Sequence, residues 1–188
     1  VGAAPQGVAR VRGEVRVNGA IADRGTVLEP GDVVTTGRGA ELVAAIGRDA
    51  FLVRGAARVE FEGRAAERLV TGLRVATGAV LSVFDRGRPR TIRTPTASIG
   101  IRGSGVYVEA EADRTYVCTC YGTADLVPLD DPQAAETVRT THHEQPRYIH
   151  RKGVPRMIER APFVNHTDAE LTLLESLVGR VPPFAGKY

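Results

Sequence analysis

Both cysteines of this 188-residue chain lie two positions apart in "TYVCTCYG", residues 115 to 122. Thiolates are soft metal ligands and good nucleophiles, so the chain concentrates its softest chemistry in one octapeptide. The stretch is rich in Tyr, Val and Thr and reads as a β-strand. On a strand Tyr116, Cys118 and Cys120 share one face, while Val117, Thr119 and Tyr121 share the other. The two Cα atoms would then stand about 6.6 Å apart, with parallel Cβ atoms much farther from each other than the roughly 3.8 Å a disulfide prefers. That disfavours a bridge within the strand. Two parallel thiolates can instead converge on an ion.

The remaining metal-type donors are close by in sequence. All four histidines, His142, His143, His150 and His166, follow Arg139. "TVRTTHHEQP" reads as an extended segment ended by Pro146, and "DDPQAAE" before it is long enough to return the chain beside the cysteine strand. Cys118, Cys120, His142 and His143 would then form an S2N2 set suited to zinc or copper. Adjacent residues of a regular strand face opposite ways, so the pattern Val138, Thr140, His142 predicts His142 toward the thiols and His143 away from them. A bulge or a bend before Pro146 would let both rings reach the ion. Without the His-His pair, His150, His166 or a second chain would have to complete the shell. Two other readings stand beside the metal site: small core thiols with surface histidines, and a redox-active dithiol.

Other motifs carry less chemistry. "GIRGSG", residues 100 to 105, precedes a strand rather than a helix, so it is not a nucleotide-binding loop, and Ser104 lacks the strand-to-helix elbow of a nucleophile. No pair of carboxylates stands out as acid and base, and the expectation is a non-catalytic protein. Arg86, Arg88 and Arg90 in "RGRPRTIR" would share one face of a charged edge strand that resists aggregation.

The elements that must position these residues are short strands. Residues Ala9 to Asn18 alternate apolar and charged as one half-buried strand, "NG" at Asn18-Gly19 is a hairpin signal and "EPGD" at 29–32 a turn. Runs such as "ELVAAIG", "AFLVRG" and "AVLSVFDRG" follow at intervals of about 8 to 12 residues, the spacing of an all-β sandwich, barrel or stacked β-solenoid of antiparallel strands. "SIGIRGSGVYVEAEADRTYVCTCYGTADLVPLD" reads as two longer strands joined by a polar turn and closed by Pro128. Only "NHTDAELTLLESLVGR" has helical spacing, with Thr167 as N-cap, Glu170 completing a capping box, Leu171, Leu174 and Leu177/Val178 on one face and Gly179 as the stop. This predicts one C-terminal helix over about 167–179, packed on the β-domain. The division is a flexible opening, 1–7, a β-domain, 8–150, and a C-terminal segment, 151–188.

Composition bounds the function further. A hydrophobic share of 43% supplies a core, and the net charge of +3 is spread thinly. All but Lys152 and Lys187 of the 25 basic residues are Arg, the usage of a GC-rich genome, and no dense basic tract argues for nucleic acid. No run approaches the roughly 20 apolar residues of a transmembrane span. "VGAAPQG" resembles the small-residue opening left when an export signal is removed.

Residues 8 to 110 resemble the FecR-like domain family. The most specific piece is "TPTASIGIRGSGVYVE", residues 94 to 109, which is similar to the family's closing Thr-Pro, Ala and Arg-Gly-Thr signature with Ser104 in the Thr position. The resemblance implies an all-β domain of the bacterial periplasm or envelope, best known for relaying the state of an iron-uptake receptor to an anti-sigma module. Its partner would be an envelope protein or a second copy of itself. The "CTCYG" and "THHE" elements lie beyond the family core. Together these readings predict an exported β-domain that holds copper or zinc through Cys118, Cys120 and one or both of His142 and His143.

Overall fold

The computed structural model of the chain describes residues 6–187; the first five residues of the opening expected to be flexible, and Tyr188, lie outside the described residues. Gln6 is already anchored, its side-chain amide exchanging hydrogen bonds with the backbone of Gly47. The strand expected over Ala9 to Asn18 is two strands, β1 (Gly7–Arg12) and β2 (Val15–Val17). The break falls at Gly13, whose φ of +73° and whose contact with Ala40, 3.0 Å from where a Cβ would sit, both call for glycine. β1 therefore pairs with β5 (Glu41–Ile46), while β2 pairs with β3 (Ala20–Ile21) and β4 (Val33–Thr36). Asn18 and Gly19 both have positive φ, as a two-residue hairpin turn requires, and join β2 to β3.

The rest of the chain extends this into one large mixed sheet that does not close into a barrel. β6 (Asp49–Val53), β7 (Arg58–Arg64) and β8 (Leu69–Val83) follow as antiparallel neighbours, and β9 (Pro89–Arg93) lies parallel to β8. The two long strands expected from the sequence are β10 (Ala97–Ala110) and β11 (Arg114–Pro128). Each serves two neighbours in turn: β10 pairs first with β9 and then with β8, and β11 first with β13 (Arg147–His150) and then with β12 (Glu136–Thr140). β14 (Ile158–Arg160) adds the edge beside β13.

Two apolar cores lie on the two sides of this sheet. Phe51, Phe61, Ile92, Ile99, Val108 and Leu126 belong to the larger one. Leu52, Leu81, Tyr107, Tyr116, Cys118 and Cys120 face the other, which α1 (Asp168–Leu177) covers through the fully buried Leu171 and Leu174. Strands buried on both faces read as continuous apolar runs, which is the pattern of "ELVAAIG" and "AFLV". Thr167 caps the helix as expected, its hydroxyl accepting from the Glu170 amide at 3.2 Å. The Glu170 carboxylate departs from a capping box by pairing with Arg54 on the sheet at 2.6 Å. Among the three arginines expected on one exposed face, Arg90 differs: it is 3% exposed and forms a buried ion pair with Asp49 at 3.0 Å. β9 begins only at Pro89, so Arg86 and Arg88 lie in the preceding loop.

Candidate metal centre

The register of β10 and β11 sets the thiols. Gly105 pairs with Tyr121 and Val106 with Thr119, so Cys120 is an extra residue opposite one step of β10. Such a bulge re-aims the neighbouring side chains. Tyr121, expected on the opposite face, joins Cys118 and Cys120 on the helix side of the sheet. Gly122 makes the close approach possible, with φ +103° and a missing Cβ that would lie 2.2 Å from the Ser104 hydroxyl.

The same stretch of β11 also fixes the histidines. β12 covers residues 122–126 of β11 and β13 covers 114–117, leaving 118–121 to be met by the bend between those two strands. There the Thr140 hydroxyl donates to the Thr119 carbonyl at 2.5 Å and the His143 amide donates to the Cys120 carbonyl at 3.0 Å. The extended segment expected over "TVRTTHHEQP" thus ends at Thr140, and His143 takes the left-handed conformation at φ +60°. That turn reverses the expected facing. His143 is buried against the thiols, and His142 is the more exposed ring of the pair.

The fourth member comes from beyond the sheet. His166, one residue before the cap of α1, is buried and stacked on Tyr107 with ring centroids 4.4 Å apart. Cys118 Sγ lies 3.4 Å from His143 Nδ1, and Cys120 Sγ lies 3.4 Å from His166 Nε2. One donor atom from each of Cys118, Cys120, His143 and His166 falls within 4.8 Å of every other. Ligands about 2.3 Å (sulfur) and 2.0 Å (nitrogen) from a tetrahedral zinc would be separated by about 3.5 Å, so the sulfur-to-nitrogen distances fit that shell.

The outer hydrogen bonds decide which ring nitrogens are available. The Val164 carbonyl can only accept, so His166 Nδ1, 2.8 Å from it, carries a proton, and Nε2 is the nitrogen turned toward Cys120. His143 Nε2 donates to Asp168 Oδ1 at 2.8 Å and leaves Nδ1 for the thiol side. His142 Nε2 meets the other Asp168 oxygen at 2.7 Å, so His142 lies behind the shell, holding the carboxylate that holds His143. His150 pairs with Glu159 at 3.0 Å, on β13 and β14.

The charges agree with this arrangement. A hydrogen bond from Cys120, together with His143 and His166, holds the Cys118 thiol well below its ordinary value against the effect of burial. Burial and the adjacent Cys118 thiolate push Cys120 well above it. The pair therefore holds one proton between two sulfurs. Burial pushes the His143 imidazole down, but the Cys118 thiolate and the Asp168 carboxylate outweigh it and raise its pKa. Burial likewise opposes the ionised form of Asp168, and the two histidine rings prevail and lower its pKa.

Pattern reading named His166 only as a substitute for the His-His pair, beside His150 or a second chain, and did not place Asp168 here at all. His166 and Asp168 flank Thr167, and the chemical signal was only that every histidine follows Arg139. Their position depends on where the start of α1 lands on the sheet.

No protein-family model matches the chain, and no curated protein matches it by sequence. Solved structures do resemble its fold. Two crystal structures from Parabacteroides distasonis ATCC 8503, each described as a candidate anti-sigma factor, superpose with TM-scores of 0.54 and 0.55 at 11% and 12% identity. The matches cover 68% and 76% of this chain, which spans 59% and 64% of the length of those proteins. The likeness establishes the fold. Among the described residues no helix is long and apolar enough to cross a membrane, which leaves spanning by strands unaddressed.

Proposed function

We propose that this chain is a non-catalytic, exported module of the FecR-like type in which a zinc ion, held by Cys118, Cys120, His143 and His166, fastens the C-terminal segment to the β-sheet. One observation carries the reading: the remote nitrogens of both rings are committed to Val164 and Asp168, so that Nδ1 of His143 and Nε2 of His166 are turned on the two sulfurs. Four protein donors leave no open position for substrate, which fits a structural ion rather than a catalytic one. Complete burial of both sulfurs argues against a thiol enzyme, whose cysteine must meet its substrate. The FecR-like assignment and the export rest on the "TPTASIGIRGSGVYVE" resemblance, and the likeness to anti-sigma-type structures supports a role in signalling through an envelope protein.

Protein purified without chelator should carry about one zinc per chain, and its cobalt form should show thiolate charge-transfer absorption. Both should vanish in Cys118→Ser/Cys120→Ser. His143→Ala and His166→Ala should each weaken binding by more than about 100-fold, while His142→Ala should cost between about 10-fold and 100-fold, as for a group behind a ligand. Copper in place of zinc would change the ion and keep the shell. Equal losses at His142 and His143, or retention of metal by the double cysteine variant, would contradict the shell.

A further inference from the structure

A groove of about 560 Å³ opens beside the thiol–histidine cluster, between the β10–β11 bulge and the C-terminal residues. Its size lies within the range of small-molecule sites. Tyr121, Pro183 and Phe184 give it an apolar floor, while Arg86, Arg102 and Lys187 stand around it. Arg102 is paired with Asp125 at 3.0 Å; Arg86 and Lys187 have no acidic partner among the described residues. The groove continues past Arg86 and Tyr121 to Arg180. There Arg180 Nε meets Glu175 at 2.6 Å and Nη1 donates to the Arg48 carbonyl at 2.5 Å, but Nη2 is buried and has no hydrogen-bond partner. Arg180 is thus neutralised by Glu175 and its Nη2 is closed to the groove, so the cations free to meet a ligand there are Arg86 and Lys187.

From this we infer that the groove binds a small organic anion, a carboxylate or phosphate group attached to an apolar body. The Arg86 guanidinium suits the planar carboxylate or the phosphate, and the Lys187 ammonium adds a second positive charge. The aromatic floor takes the body. A bare inorganic anion would leave that floor empty, and a neutral apolar molecule would leave the cations unanswered. The inference rests on the groove and stands apart from the metal reading.

The test uses the full chain, as purified, with 2-naphthoate, 2-naphthamide and inorganic phosphate as probes, followed by amide chemical shifts. 2-Naphthoate should shift the amides of Arg102, Gly103, Gly122, Thr141 and Phe184 saturably. The isosteric, uncharged 2-naphthamide and inorganic phosphate should each bind at least tenfold more weakly. Arg86→Gln/Lys187→Gln exchanges exposed side chains and should weaken 2-naphthoate at least fivefold while leaving the other amide shifts in place. Equal binding of naphthamide, equal binding of phosphate, an unchanged affinity in the double variant, or shifts confined to other parts of the chain would overturn the proposal.

Discussion

Asp168 joins three parts of the molecule through one carboxylate. It is the first residue of α1, where the helix dipole favours negative charge, and it accepts from His142 with one oxygen and from His143 with the other. The bend and the helix are thereby tied at the site itself. The two thiols differ in their protons, and this would set the pH dependence of the proposed metal binding. With Cys118 ionised well below the ordinary thiol range and Cys120 protonated well above it, a metal entering at pH 8 displaces about one thiol proton rather than two. Above the titration of His143 log affinity should rise with a slope of about one per pH unit, and it should steepen at lower pH, where His143, whose pKa is raised, also gives up a proton. Competition titrations from pH 5.5 to 8.5 measure the slope. A slope near two that persists in His143→Gln would mean that neither sulfur is ionised in advance.

At the scale of elements, the helix is held by packing as well as by the site. Leu171 and Leu174 are fully buried against the sheet, while Thr172 faces outward with its hydroxyl on the Asp168 carbonyl. Leu174→Ala should destabilise the protein by about 2 to 5 kcal/mol in denaturant unfolding, and Thr172→Ala by less than about 0.5 kcal/mol. Equal effects would argue that the helix does not pack through this face. The cap, the leucine spacing and the glycine stop made this helix readable before its position was known, and the alternation and turn residues did the same for β10, β11 and the Asn18-Gly19 hairpin. Gly13 was harder, because alternation runs straight through the corner where β1 and β2 exchange partners. The cysteines were legible as a convergent pair. The histidines were not, since a bulge at Cys120 and one left-handed residue, His143, reverse the facing that strand periodicity predicts. Such a local departure is set by tertiary contacts, here the Cys120 carbonyl that receives the His143 amide. His166 was further still, because its place comes from a chain segment 46 residues away from Cys120.

Across the whole molecule, the four donors come from β11, from the bend after β12 and from the segment that leads into α1. An ion at that junction would cross-link the C-terminal segment to the sheet and stabilise the folded state by mass action. Chelation should lower the unfolding temperature and open residues 161–187 to protease before the β-strands are cut. An unchanged digestion pattern would show that packing alone holds the segment. The central claim is the identity of the shell, and X-ray absorption at the zinc edge of the purified protein reads it directly. The account predicts two sulfur scatterers at about 2.3 Å and two imidazole nitrogens at about 2.0 to 2.1 Å, with one sulfur lost in Cys120→Ser and one imidazole lost in His166→Ala. A shell made only of oxygen and nitrogen, or one that keeps both imidazoles in His166→Ala, would contradict it.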